Sequence, residues 1–274
     1  MIAVLYSFFF ILGIAIGSFL GVVVDRLSSQ ESIWKGRSHC DHCRHNLSVL
    51  DLIPIFSFFI LGRKCRYCHK KLSWFYPLIE ICTGIAYAAI GIVLVQQIGL
   101  ISQVFYQLLL LYYFLLTGLL LVIFFADIRY GIIPFNVVVL SLFLIIIWNL
   151  LSPLLAGGQN VSFHTHLLNS ILSAAGAGGF FFLLFAATKG RGMGFGDVIY
   201  AFLMGFILGF PRVILGLYIA FVTGAVVSLL LVALKKKKLK GGTIPFGPFL
   251  VFGTFVSLLW GKFILAYLFR YFLL

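Results

Sequence analysis

The hydrophobic residues of this chain gather into long, uninterrupted runs. Stretches free of Asp, Glu, Lys and Arg cover 1–24, 81–126, 130–188, 198–211, 213–234 and 241–261. A helix that crosses a bilayer needs roughly 20 apolar residues, so the second and third stretches each hold two. Polar or glycine-containing breaks fall where such a split requires, at Gln96-Gln97-Ile98-Gly99 and across 152–162. The pattern predicts eight helices, near 2–24, 77–96, 102–126, 132–151, 166–188, 196–210, 213–234 and 246–270. The first run lacks a basic leader, and Asp25-Arg26 follows it where a cleavage site would need small residues, so it is read as a retained helix.

Composition agrees. The chain is 62% hydrophobic and 10% charged, with a mean hydropathy of +1.15, which excludes an ordinary soluble domain. The expected fold is all-α, a polytopic membrane protein with about eight transmembrane helices. Charge then orients it. Of twenty Lys and Arg, nine lie in 26–71 and five in 235–240; with Arg129, Lys189 and Arg191, seventeen fall on one side of an alternating threading. By the positive-inside rule these loops are cytoplasmic and both termini outside. The net charge of +13 is thus a topology signal. The lysine run 235–238 suits lipid headgroups better than nucleic acid, and no nucleic-acid partner is expected.

The one sizeable soluble segment, about 25–76, holds Cys40-Asp41-His42-Cys43 and Cys65-Arg66-Tyr67-Cys68. Both pairs continue to a Leu-Ser, at Leu47-Ser48 and Leu72-Ser73, so the segment repeats itself. Two such knuckles present four thiolates, the donor set of a closed structural zinc site. A cytoplasmic loop disfavours disulfides. His39, His42, His45 and His69 crowd the knuckles and are alternative ligands. About fifty residues bury little core, so a small cytoplasmic zinc-binding loop domain stapled by Zn²⁺ is expected. The apolar stretch 49–61 is too short to span and is expected to pack this module against the membrane face. The organisation is a first helix (1–24), the four-cysteine module (25–76) and a seven-helix catalytic domain (77–274). Cys82, in the second helix, reads as a small apolar residue.

Asp127 and Asp197 are the only carboxylates after Glu80, and each borders an apolar run. An ionisable group at membrane depth is a functional hypothesis by default. The threading brings both to the cytoplasmic face, Asp127 at the end of the third helix and Asp197 at the start of the sixth. Asp197 closes Gly192-Met193-Gly194-Phe195-Gly196-Asp197, whose glycines permit close approach of another chain. As a helix cap, Asp197 would have a purely structural role, as would Asp127 paired with Arg129. The sixth helix argues otherwise: 14 residues from Asp197 to Phe210 span roughly 21 Å against a core of ~30 Å. Two facing carboxylates sharing a proton are the apparatus of aspartyl peptide hydrolysis.

With these residues, the chain resembles the type IV prepilin peptidases, bacterial inner-membrane enzymes of the Gly-x-Gly-Asp class. The resemblance runs through Gly17-Ser18-Phe19-Leu20, Asp25-Arg26-Leu27, the cysteine module, Ile53-Pro54, Tyr76-Pro77 with Glu80, and Asp127 with Ile133-Pro134. It continues in Gly194-Phe195-Gly196-Asp197-Val198 and Pro245-Phe246-Gly247-Pro248. It implies Asp127 and Asp197 as catalytic residues, with Gly194, Gly196, Glu80, Pro245 and Gly247 supporting the site or substrate. It also implies cleavage of the basic leader of prepilins or pseudopilins at the cytoplasmic border. In many members N-methylation with S-adenosylmethionine follows. Three positions depart from the family pattern: Gly21 stands for a common Asn, Phe135 for an acidic residue, and Ile199 for Lys. Neither aspartate is lost. Glu80 also suits a helix N-terminus, and the 245–248 turn a helix start. The rival classes are a non-catalytic assembly scaffold and a transporter with a carboxylate proton relay.

Overall fold

The computed structural model describes residues 2–33, 36–95, 102–155, 163–234 and 244–272. The break at 96–99, most of that at 152–162 and the lysine run 235–240 lie outside the described residues. Nine α-helices occur among those described: α1 (Ile2–Ser29), α2 (Phe56–Ile60), α3 (Phe75–Val95), α4 (Gln103–Tyr130), α5 (Phe135–Leu155), α6 (Phe163–Thr188), α7 (Phe195–Leu208), α8 (Arg212–Ala233) and α9 (Gly247–Phe272). Seven are long and apolar enough to cross a membrane, and α7 is a shorter apolar helix. A helix therefore stands at each of the eight expected positions, seven of them of spanning length, and the protein is a multi-pass membrane protein. It divides into two compact units, Met1–Ala126 and Asp127–Leu274, with the boundary inside α4.

In the first unit, α1 and α3 touch along small residues. A methyl on Gly13 would lie 2.7 Å from the Thr83 carbonyl oxygen, and one on Gly17 2.7 Å from Glu80 Cα. Glycine at four-residue spacing lets two helix backbones meet where no hydrophobic effect drives them together. Tyr87 of α3 stacks on Phe114 of α4 at 4.5 Å and donates its hydroxyl to the Phe114 carbonyl at 2.9 Å.

Helix α1 runs five residues past its expected end because its terminal charges are satisfied locally. The Tyr76 hydroxyl lies 3.1 Å from Asp25 Oδ2 and 2.8 Å from Asp41 Oδ2. Arg26 is buried, and its guanidinium donates to the carbonyls of Ser32, Ile33, Gly36 and Arg37 at 3.0–3.4 Å. One side chain thus organises the chain that leaves the helix.

In the second unit, α6 and α7 pack antiparallel in one register. The Phe185 and Phe195 rings are 5.5 Å apart. Gly178 meets Phe202, and Gly205 meets Ser173 and Ala174 backbone to backbone. At the far end, Asn169 Nδ2 donates to the Phe210 carbonyl and its Oδ1 accepts the Phe210 N–H, both at 3.0 Å. A lone amide in an apolar helix thereby satisfies the backbone where α7 stops short, as backbone away from water requires. This register sets Asp197 level with Phe182, six residues before the end of α6 at Thr188, or roughly 9 Å along the helix.

Candidate active site and metal centre

Asp127 lies one turn inside the end of α4. Gly131 closes that helix, its N–H donating to the Asp127 carbonyl at 2.9 Å from a φ of +67° that favours glycine. The chain then turns through Ile132-Ile133-Pro134 into α5. Asp197 is the third residue of α7, with Gly194 at the N-cap, and its Oδ2 accepts the Gly194 N–H at 3.3 Å. The aspartate is therefore not itself the N-cap. It reaches back to the cap while remaining inside the first turn, where the helix dipole favours negative charge.

Both carboxyls are buried, 6% and 8% exposed, and lie within electrostatic range of one another. Two glycines and one isoleucine set their spacing. A methyl on Gly196 would meet Ile133 Cβ at 3.1 Å; one on Gly247 would meet Asp127 Oδ2 at 2.5 Å and Ile133 Cδ1 at 3.3 Å. Ile133 thus wedges between the starts of α7 and α9, and Gly247 leaves the space into which the Asp127 carboxyl points. The Gly247 N–H faces that carboxyl, while Asp127 Oδ2 makes no geometric hydrogen bond among the described residues. A buried acceptor left open calls for a ligand, water or a catalytic role.

The sequence points to Asp127 with Asp197 and to Gly194, Gly196, Gly247 and Pro245, which lies two residues before α9. It does not reveal the wedge role of Ile133 or the Tyr200–Thr254 hydrogen bond at 3.0 Å. Tyr200 is one turn after Asp197 and fully buried, and its only sequence signal is a phenol inside an apolar helix.

In the first unit, the sulfurs of Cys40, Cys43, Cys65 and Cys68 all lie within 4.8 Å of one another, and Cys40 and Cys68 Sγ are 3.9 Å apart. Tetrahedral zinc–thiolate bonding sets sulfurs ~3.8 Å apart, so the four residues fit a structural Zn²⁺. The knuckles are copies offset by 25 residues. Cys40 N–H donates to His45 O and Leu47 N–H to Ser38 O; Cys65 N–H donates to Lys70 O and Leu72 N–H to Arg63 O. Arg44 and His69, both at φ 57°, take the same left-handed turn. A network joins the knuckles: Arg66 Nε meets Asp51 Oδ1 at 2.7 Å, while Ser48 and Tyr67 hydroxyls donate to Oδ2 at 2.8 and 3.2 Å. Burial alone would raise the Asp51 pKa, but the bonds from Ser48, Tyr67 and Arg66 outweigh it and hold the carboxyl below the usual range. Its stabilisation is complete above the ordinary carboxylate range and is lost progressively as pH falls from that range through the lowered value.

Glu80 is buried in α3, and its Oε2 accepts the Ile55 N–H at 2.7 Å. Ile55 sits at φ 63°, ψ −55°, in a tight turn closed by Phe56 N–H on Pro54 O at 2.6 Å. A β-branched residue there is strained, so the geometry gives Glu80 a backbone to hold. Cys82 is half-buried in α3.

Residues 11–94 match the bacterial peptidase A24 N-terminal domain, and residues 114–229 match the type IV leader peptidase family. The chain belongs to the type IV leader peptidase family. Its four-cysteine module falls within the first match and both aspartates within the second. It is 29% identical to a prepilin leader peptidase/N-methyltransferase of Bacillus subtilis (strain 168), over 95% of this chain and 96% of that one. Identity to the protein of that name from Stutzerimonas stutzeri is 27%, over 93% and 91%. A shorter alignment with that of Myxococcus xanthus (strain DK1622) reaches 42% over 82 residues, 30% of this chain and 24% of that one. No solved structure matches the chain.

Proposed function

We propose that this member of the leader peptidase family is an aspartyl endopeptidase that removes the leader from prepilins or pseudopilins at the cytoplasmic border of the inner membrane. One observation carries the chemistry: two buried carboxyls, Asp127 and Asp197, lie within electrostatic range of one another at helix ends framed by Gly247 and Ile133, and Asp127 Oδ2 has no side-chain partner among the described residues. The basic loops support the sidedness, by which the zinc module and both aspartates face the cytoplasm and both termini lie outside.

In the proposed reaction Asp197 is the ionised member, supported by the α7 N-terminus and the Gly194 N–H. It takes a proton from water as the oxygen attacks the scissile carbonyl. Asp127 is the protonated member, in the last turn of α4, and its open Oδ2 suits the oxygen that gives a proton to the substrate carbonyl. Collapse of the resulting gem-diol returns a proton to the amide nitrogen, breaks the C–N bond and frees the new amino terminus. The pair titrates as a unit.

Cys40, Cys43, Cys65 and Cys68 hold Zn²⁺ as a structural staple, with no part in the bond cleavage. Following the relatives' names, N-methylation of the new terminus is proposed as a second step. S-adenosylmethionine would supply the methyl group, leaving as S-adenosylhomocysteine with loss of one proton from the amine. The test is purified protein mixed with a prepilin peptide and read by mass spectrometry. A leader-length mass loss is expected, followed by a methyl increment when the donor is present. An intact peptide with a folded, zinc-loaded protein would sink the reading and favour a scaffold.

A further inference from the structure

The zinc module carries apolar side chains that its own core does not use. Val49 and Leu50 are 78% and 61% exposed, and on α2 Phe56, Phe59 and Ile60 are 68%, 55% and 79% exposed. Positions 56, 59 and 60 fall on one side of a helix. Only Phe58 of α2 is buried. A soluble module would not leave such a set in water.

The height of this patch follows from its neighbours within the first unit. Phe58 and Phe59 pack on Trp74 at ring distances of 5.1 and 6.1 Å, and Trp74 immediately precedes the membrane-crossing helix α3. Tryptophan at a helix start marks the membrane–water interface. Arg63 lies over the same indole at 4.6 Å. The Glu80–Ile55 bond is a second tether, fixing the turn that starts α2 to a buried position of α3. The patch is thus held at the level where α3 enters the bilayer. In the knuckle that follows α2, Arg63, Lys64, Lys70 and Lys71 are exposed, and no carboxylate occurs between Asp51 and Glu80.

We propose that the face formed by Val49, Leu50, Phe56, Phe59 and Ile60 docks on the anionic surface of the protein's own bilayer. The apolar side chains enter the interface and the four cations meet lipid headgroups. Apolar insertion beside clustered Lys and Arg is how interfacial segments bind anionic membranes. Continuity with the surface of α3 and the one-signed charge favour lipid over a second copy or the substrate helix. Glu80 is then a positioning residue that sets the pitch of α2 on the membrane.

The test is hydrogen exchange of amides 49–61 in the full-length, zinc-loaded protein, held one chain per nanodisc. Discs of phosphatidylcholine alone are compared with discs that also contain phosphatidylglycerol. Exchange is expected to be at least roughly tenfold slower in the anionic discs, since each Lys or Arg at an anionic surface contributes about a fivefold bias and two such contacts already exceed that factor. The triple change Phe56→Ser, Phe59→Ser, Ile60→Ser should abolish that difference while zinc content stays at one ion per chain. Equal exchange in the two discs overturns the proposal. So does slowing that needs two chains per disc, which makes the occupant a second copy, or slowing that needs added prepilin peptide, which makes it the substrate.

Discussion

The Tyr200 hydroxyl donates to Thr254 Oγ1 at 3.0 Å, because the Thr254 hydroxyl is committed to the Leu250 carbonyl at 2.8 Å. This bond ties α7 to α9 one turn beyond Asp197 and two turns beyond Gly247. It therefore sets the separation of the two helix starts that frame the aspartates. Tyr200→Phe keeps the ring and removes the tie, at a stability cost of about 0.5–1.5 kcal/mol. Active-site misplacement of about 1 Å costs on the order of 10²-fold, so a smaller shift should lower kcat about tenfold and leave KM nearly unchanged. Steady-state kinetics on a prepilin peptide measures the split. An equal loss in Thr254→Val supports the tie, and an unaltered kcat in both refutes it.

The dyad itself predicts how activity depends on pH. At low pH the ionised member gains a proton and cannot accept one from water. At high pH the other member loses its proton and cannot donate to the carbonyl. The profile of kcat/KM should be bell-shaped, with both limbs belonging to the pair. Asp127→Asn and Asp197→Asn should each lower activity by about 10²–10⁴-fold or more. Asn keeps an acceptor for the Gly194 N–H, so the Asp197 variant should fold and insert as the parent does. Peptide cleavage rates beside thermal unfolding in detergent check both statements.

Much of this architecture is legible in the sequence, since the spanning helices are nearly uniform apolar runs and the knuckles repeat at a fixed offset. The same uniformity hides the rest. A helix apolar on all sides has no polar face from which to read the side that turns inward, so neither the Ile133 wedge nor the Tyr200–Thr254 tie is visible. Asn169 stands out as a lone amide, yet its partner is backbone 41 residues away. The extension of α1 beyond residue 24 depends on the Asp25 and Arg26 side chains finding Tyr76 and a ring of carbonyls, which only the folded chain supplies. Glu80 reads from the sequence as support for the site or substrate, and its bond to the Ile55 N–H is supplied only by the fold.

Removal of the metal should open the module without dismantling the helices. Four thiolates without Zn²⁺ lose the staple of a segment that has little core of its own. A strong chelator, or Cys65→Ser, should loosen the backbone enough for trypsin to cut after Arg63, Lys64 and Arg66 while helical circular dichroism changes little. Metal analysis should find one zinc per chain in the parent. Unchanged trypsin resistance after complete zinc loss would refute the structural role.

The last prediction separates the two glycines that frame the dyad. A methyl on Gly247 would stand 2.5 Å from Asp127 Oδ2 and 3.1 Å from its Cγ, so the carboxyl must swing away. The nearest atom to a methyl on Gly196 is Ile133 Cβ at 3.1 Å, with Cδ1 and Cγ1 at 3.3 Å, and these carbons can give by a few tenths of an ångström. Gly247→Ala should therefore lower kcat by about 10²-fold, and Gly196→Ala by much less. Adding Ile133→Ala removes the two more distant carbons and should restore part of the loss in Gly196→Ala. It should do little for Gly247→Ala, where the obstructed group is the carboxylate itself. Kinetics on the four variants, with detergent-solution unfolding as the folding control, decides the order. A Gly247→Ala enzyme as active as its parent would mean that the Asp127 carboxyl does not need the position the structure gives it.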